Sequence, residues 1–358
     1  MSAAARPAPT PGQDTNSNIA DFIAQAKVGE LANRKIEEIE RVTHRTRILA
    51  LNALIVAHRA GEAGRGFAIV AQEVRGISDE VREIASSLKR DLSVEIAKLE
   101  SMARKTADDA REKRLVDLAH TSIELIDRNL YERSCDVRWW ATDAAMADCA
   151  ASATAESANF ASRRMGVILN AYTVYLDLWL CDRNGRVIAN GRPDRYAVTG
   201  RDVAREPWFK QALATRSGDD FVSADVEINR ELDKRPVATF AAAVREGGEP
   251  TGRVTGVLAI HFDWRTQAQT IVENLPLNPD ERSQTCAMLL DSRGRVIASS
   301  DGAALFGQKF ALATEGRKRG SYRTQDDVVG FAQTPGYETY AGMGWYGCLV
   351  LRSRPARG

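Results

Sequence analysis

The stretch Ile48–Arg75, ILALNALIVAHRAGEAGRGFAIVAQEVR, decides how the first third of the chain folds. Small or apolar residues lead into it at Ile36, Ile39, Thr43 and Thr46. They continue at Ala50, Ala53, Ala57 and Ala60, with gaps alternating three and four. That is the spacing of a coiled-coil seam. A second run follows at Val70, Val74, Ile77, Val81, Ile84 and Leu88. Between the runs lies Gly61-Glu62-Ala63-Gly64, whose glycines permit a tight reversal. The reading is an antiparallel helical hairpin with its tip near Glu62. A second copy packed alongside would bury a wider stripe as a four-helix bundle, so a homodimer is expected.

Outside the seam, Ile48, Asn52, Ile55 and Arg59 follow one another at helical spacing and form a separate stripe. It suits either the wide core of such a bundle or a reversible docking surface for a partner. The quoted segment, with RAGEAGRGFA at its centre, closely resembles the hairpin tip of the signalling domain of bacterial methyl-accepting chemotaxis proteins over about residues 36–88. The resemblance implies that the tip engages a chemotaxis histidine kinase and its coupling adaptor protein, and that dimers group as a trimer of dimers. By position it makes Ile48, Leu51, Asn52, Ile55, Arg59, Glu62, Phe67 and Ile69 the contact residues. Three places depart from the family: Arg45-Thr46-Arg47, His44 and Val56. The leg from the tip back to Asp14 is also short, about 70 Å at ~1.5 Å per residue. Glu37 and Glu38 do not sit in a methylation-like spacing, so adaptation by methylation is not expected.

Composition marks a boundary further on. No proline occurs from Asn18 to Asn170, whereas the remainder carries prolines, most of the glycines and turn signals. One long helix, 116–170, is therefore expected to lead from the hairpin into a globular part and to transmit a shift along its length. Trp139 and Trp140 point about 100° apart on it, so one should pack on a sheet and the other could roof a cavity. After Asn170 the pattern becomes strand-like. TVYLDLWLCDRNGRVIANG predicts strands at Thr173–Cys181 and Arg186–Asn190, and AMLLDSRGRVIASSDG repeats it at a constant offset of 109 residues. Two similar modules in tandem follow. Further strands are expected at Ala238–Val244 and Val254–Phe262 in the first, and at Gly320–Thr324, Val328–Thr334 and Trp345–Leu351 in the second.

Arg205-Glu206-Pro207-Trp208-Phe209, followed by strands that include Gly256-Val257-Leu258, resembles the double Cache family of small-molecule sensors over about residues 120–352. The resemblance implies a ligand in the first module, with Arg205, Trp208 and Phe209 in its pocket segment. His261 stands where amine-binding members have Asp. Tyr175, Asp177, Trp179, Asp225, His261 and Asp263 complete the candidate ligand-binding set, an aromatic floor with converging charges. The tyrosines and tryptophans, including Tyr337, Tyr340, Trp345 and Tyr346, also suit plain sheet packing.

The 358 residues carry 49 Lys plus Arg against 48 Asp plus Glu, a net charge of +1 that leaves no global field for nucleic acid. No run is apolar enough to span a bilayer and residues 1–18 lack a signal-peptide core, so a cytoplasmic protein with no membrane span is expected. Cys135, Cys149, Cys181, Cys286 and Cys348 are dispersed and read as free thiols. No Walker loop, HExxH, GxSxG or zinc-ligand cluster occurs, so neither an enzyme nor a cofactor is expected.

The fold class is thus α+β: a helical hairpin or coiled coil forming a dimeric four-helix bundle, then a long helix and two PAS-like Cache modules. The expected boundaries are a disordered 1–17, a signalling hairpin 18–115 and a sensor 116–352, with modules at 171–275 and 276–352. The function expected is a chemoreceptor with its sensor placed last. The alternative is a coiled-coil scaffold, or a sensor for a non-motility kinase pathway without methylation-based adaptation.

Overall fold

The computed structural model describes residues 13–302 and 306–352, with side-chain surroundings from residue 29 onward. The chain divides into two compact units, 1–110 and 111–358.

In the first unit, helix α1 (Gln13–Arg59) and the start of helix α2 (Arg65–Ala141) are joined by a short 3-10 turn, Gly61–Gly64. Arg47 pairs with Asp79 at 3.3 Å, and Gly29 lies against the Ile96 side chain. The residue numbers of facing positions therefore run in opposite senses. Gly61 has a positive φ, and a Cβ at Gly64 would sit 2.1 Å from the Ala57 carbonyl oxygen, so both glycines are required by the turn. Of the expected 1–17 disordered segment, residues 13–17 are helical and 1–12 lie outside the described residues.

The seam differs from its expected register in α2. On α1, Ile36, Thr43, Ala50 and Ala57 are buried, whereas on α2 the buried positions are Gly64, Ala71, Ser78 and Ala85. Val70, Ile77 and Ile84 point outward instead. Small residues let the helices approach closely, and the larger β-branched ones are left on a face beside the seam.

In the second unit, α2 does not run on to Asn170 as expected. It stops at Ala141, and helices α3 (Ala144–Ser152) and α4 (Ala155–Ala171) follow. The cause is capping: the Asp143 carboxylate accepts from the Ala145 N–H at 2.9 Å, and Thr154 forms a capping box with Ser157. Ala153 between them is left-handed, which a continuous helix would forbid. Trp140 is buried edge-on to Tyr172 and Tyr175, while Trp139 is exposed.

Two antiparallel five-stranded sheets follow. The first holds β1 (Tyr175–Asp182), β2 (Val187–Asn190), β3 (Val222–Asn229), β4 (Arg235–Arg245) and β5 (Val254–Asp263) in the order β2-β1-β5-β4-β3. The second holds β6 (Thr285–Leu290), β7 (Val296–Ser299), β8 (Arg319–Arg323), β9 (Asp327–Gln333) and β10 (Tyr346–Arg352) in the order β7-β6-β10-β9-β8. The repeated topology bears out the duplication. Helix α5 (Pro207–Leu213) lies in the β2–β3 connection, and α6 (Trp264–Glu273) and α7 (Pro279–Gln284) join the modules.

One core runs from α2, α3 and α4 onto the back of both sheets, through Ile123, Ile126, Leu130, Met146, Met165, Leu178, Ile260 and Leu349. Gly330 and Gly347 bring β9 and β10 against α2, where a Cβ would strike Leu115 and the Ala119 carbonyl. Tyr340 and Trp345 are buried in that core, so they do not line a second pocket. All five cysteines are free, and among the described residues no His, Cys, Asp and Glu group could hold a metal ion. No described helix is long and apolar enough to cross a membrane.

Candidate functional site

The front face of the first sheet is built from its register. Asp177 of β1 lies opposite His261 of β5, which lies opposite Thr239 of β4. Directly paired residues share a face, so these three form one polar row. In the next row Trp179 faces Ala259 and Ala241. Two alanines on the central strands leave room above them. Helix α5 stands over the gap, started by Pro207 at its first turn, and carries Trp208.

The result is a cavity of about 640 Å³. Trp179, Trp208 and Thr239 form its floor and inner wall, and Asp225, Glu227 and Glu206 supply carboxylates from β3 and the start of α5. Arg201 and Arg230 also reach it, Arg201 as the ion-pair partner of Glu231. Beneath the floor, His261 is 1% exposed. Its ring lies 4.2 Å from Trp179 and 6.2 Å from Trp208, and Nδ1 is 3.1 Å from the Thr239 hydroxyl while Nε2 has no partner. Burial pushes its pKa down to about 3, so the ring is neutral near pH 7.

The expected ligand residues therefore separate. Trp179, Trp208 and Asp225 line the cavity. Asp177 does not: its carboxylate accepts from Asn190 at 2.8 Å, Leu178 N–H at 2.9 Å, Arg192 N–H at 3.0 Å and Trp179 Nε1 at 3.1 Å. Burial raises its pKa against those bonds, and its acceptor capacity is used in fixing the indole. Asp263 is turned to Arg235 at 2.7 Å and Thr266 at 3.0 Å. Tyr175 belongs to the back face, where its phenol donates to Asp136 of α2 beneath the Arg133 guanidinium. Phe209 is core on the front face, and Arg205 and His261 are not among the lining residues.

Glu206, Glu227, Arg201 and Arg230 were not singled out from the sequence. Only Glu227 lies on β3, where a register shift between Ala224 and Glu227 interrupts the alternation that would have announced it; Arg201, Glu206 and Arg230 lie in connections beside the strands.

Asp225 also meets the second module. Trp345 Nε1 donates to it at 2.8 Å, and Arg293 approaches it at 3.5 Å and Glu227 at 3.7 Å.

The second candidate surface is the tip of the first unit. Ile48, Leu51, Asn52, Ile55, Arg59, Glu62, Phe67 and Ile69 are all exposed. Glu62 pairs with Arg65 at 3.0 Å across the turn.

The chain thus carries a cavity on its first sheet and, in its other unit, an exposed apolar helical tip. Residues 2–167 match the family model of the methyl-accepting chemotaxis protein (MCP) signalling domain. The chain is similar to the methyl-accepting chemotaxis protein PctB of Pseudomonas aeruginosa, 37% identical over 90 residues, which is 25% of this chain and 14% of that protein. It is 31% identical over 117 residues to PcaY of Pseudomonas putida, 32% of this chain and 21% of that one.

The α/β part has the fold of chemoreceptor and histidine-kinase sensor domains. The sensory domain of the Campylobacter jejuni chemoreceptor Tlp3 aligns with a TM-score of 0.54 at 16% identity, over 70% of this chain and 97% of that one. The Vibrio cholerae histidine kinase DctB sensor domain aligns with 0.51 at 14%, over 68% and 99%.

Proposed function

We propose that the chain is a cytoplasmic chemoreceptor that senses a small molecule in its first Cache-like module and controls a chemotaxis histidine kinase, through a coupling adaptor, at the tip of an α1–α2 hairpin. The observation that carries this reading is the pairing of a signalling-domain match with a hollow first module. Ligand capture would bias α2 between two packed states by its difference in affinity for them.

The hairpin would work as a homodimeric four-helix bundle. Val42, Leu49 and Val56 on α1 and Val70, Ile77 and Ile84 on α2 are each more than half exposed. At heptad spacing on antiparallel helices they share one side, which a second copy would cover. Ile48, Asn52, Ile55 and Arg59 lie on a different face, free for the adaptor, the kinase and grouping as a trimer of dimers. Methylation has no part in this reading.

The test is kinase autophosphorylation with the purified chain, a chemotaxis kinase and its adaptor. Glu62→Ala and Ile55→Ala should each abolish control of the kinase while leaving thermal stabilisation by ligand intact. Normal control by either variant overturns the tip assignment.

A further inference from the structure

The segment 334–345, which connects β9 to β10, touches both the first module and α2. At one end the Trp345 indole donates to Asp225 in the cavity wall at 2.8 Å. The Trp345 carbonyl in turn accepts from the Thr334 N–H at 2.8 Å. At the other end the Thr334 hydroxyl and the Gly336 N–H both donate to the carboxylate of Asp127 on α2, the second at 2.8 Å. Trp345 and Asp127 are buried. A hydrogen-bonded line, strengthened by that shielding from water, thus runs from the cavity wall to α2. Where α2 meets the first module directly, Arg133, Asp136 and Arg138 fall on Tyr175, Phe262 and Phe221, and none of these three lines the cavity.

Tyr340 stands beside the line. Its buried ring packs on Phe240 of β4 at 6.3 Å, and its hydroxyl has no hydrogen-bond partner. Burial raises its pKa well above the ordinary phenol value, and Asp127 and Asp225 both push it further. Two carboxylates, one on α2 and one in the cavity wall, therefore act on one unpaired donor. A buried donor without an acceptor is costly, so it favours whichever carboxylate is less engaged. The segment also has backbone joints: Gly336, Gly342 and Gly344 have positive φ, and so does Glu338, which carries a Cβ.

We propose that the 334–345 segment couples the first-module cavity to α2: engagement of Asp225 in the cavity wall sets the seat of Trp345 and Tyr340, and that seat sets how firmly Thr334 and Gly336 hold Asp127. The filled second module then serves as a transmission, not as a second sensor. Coupling of this kind requires an element that both sites bias, and the segment contacts both. The proposal rests on the sensor reading above and deepens it by naming how the cavity is connected to the helix.

Hydrogen–deuterium exchange on the full chain, without ligand, tests this. Asp225→Ala removes the acceptor of the Trp345 indole and should raise exchange in residues 120–135 of α2 by about fivefold. Helix α4, whose Met165 and Leu169 share the same core, should not change. Asp225→Asn keeps an acceptor and should stay near the unmodified chain. Thr334→Val cuts the line at its other end, so adding Asp225→Ala to it should raise α2 exchange no further. If Asp225→Ala does not fold, Trp345→Phe cuts the same bond from the other side and is read in the same way.

Unchanged α2 exchange in Asp225→Ala, an equal rise in α4, an equal rise in Asp225→Asn, or a full additive rise in the Thr334→Val background each overturns the coupling. The protein carries no ligand in any of these measurements, so such a failure leaves the sensor reading standing.

Discussion

The two α/β modules share strand order and even residue offset, yet one is hollow and the other is filled. Adding 109 to the numbers of β1 gives β6, so Trp179 corresponds to Met288 and Asp177 to Cys286. Across the first sheet the rows read Asp177, His261, Thr239 and Trp179, Ala259, Ala241. Across the second they read Cys286, Val350, Val329 and Met288, Cys348, Phe331. The polar row of the first module is apolar in the second, and Ala241 of the first stands where the second has Phe331. The second module's front face is then closed by Phe310, Leu312 and Tyr322 packed on its cluster. Topology alone does not make a binding site: a few side-chain volumes on the central strands do.

The largest test of this contrast is Phe331→Ala, which removes a side chain with no exposure from the filled face. It should cost about 3–5 kcal/mol in urea unfolding. A loss below 1 kcal/mol would mean the second module is no better packed than the first.

Next is Asp177→Ala, which strands four donors in the first module and should cost about 3 kcal/mol. Cys286→Ala, at the matching position of the second, should cost clearly less.

The third test uses pH. His261 has a depressed pKa in the folded chain, about 3 against 6.5. The unfolded chain takes up its proton first as pH falls. The stability is therefore fully present above pH 6.5 and is lost as pH falls from 6.5 toward 3, by about 1.4 kcal/mol per unit. His261→Val, which imports Val350's residue type, should flatten that slope in thermal melts from pH 7 to 4.

The smallest effect should come from Arg293→Ala without ligand. Arg293 is itself 57% exposed and lies 3.5–3.7 Å from Asp225, Glu227 and Asp291, so its ion pairs contribute under about 1 kcal/mol and the melting temperature should barely move. A large drop would make Arg293 a structural clasp between the two modules.

Much of this was legible in the sequence. The duplicated turn announced two modules because Asp182 and Asp291 do the same local work. Each accepts from the backbone N–H groups two and four residues on, at 2.9 Å in the first and 2.8 Å in the second. The helical pair was legible from its heptads, although the choice between Val70 and Ala71 as seam was not. Apolarity favours the valine, while close approach favours the alanine, and only the packed pair decides. The end of α2 at Ala141 was hidden because no proline marks it; the caps Asp143 and Thr154 do.

The cavity was half legible. Aromatic and charged residues on a strand say nothing of which face they take until register is known, so Asp177 and Asp263 looked like ligand groups and prove to be held by neighbours. Of the two acids that β3 brings to the cavity, Asp225 was singled out from the sequence, whereas Glu227 lies beyond the register shift and was not.

Gly64 has a consequence for the tip. Because an added methyl group would run into the backbone oxygen of Ala57, nineteen of the twenty amino acids are barred from that place by bulk alone. The apex is shaped by an empty volume one carbon atom wide, and the spacing of every exposed group around it is set by what the chain leaves out.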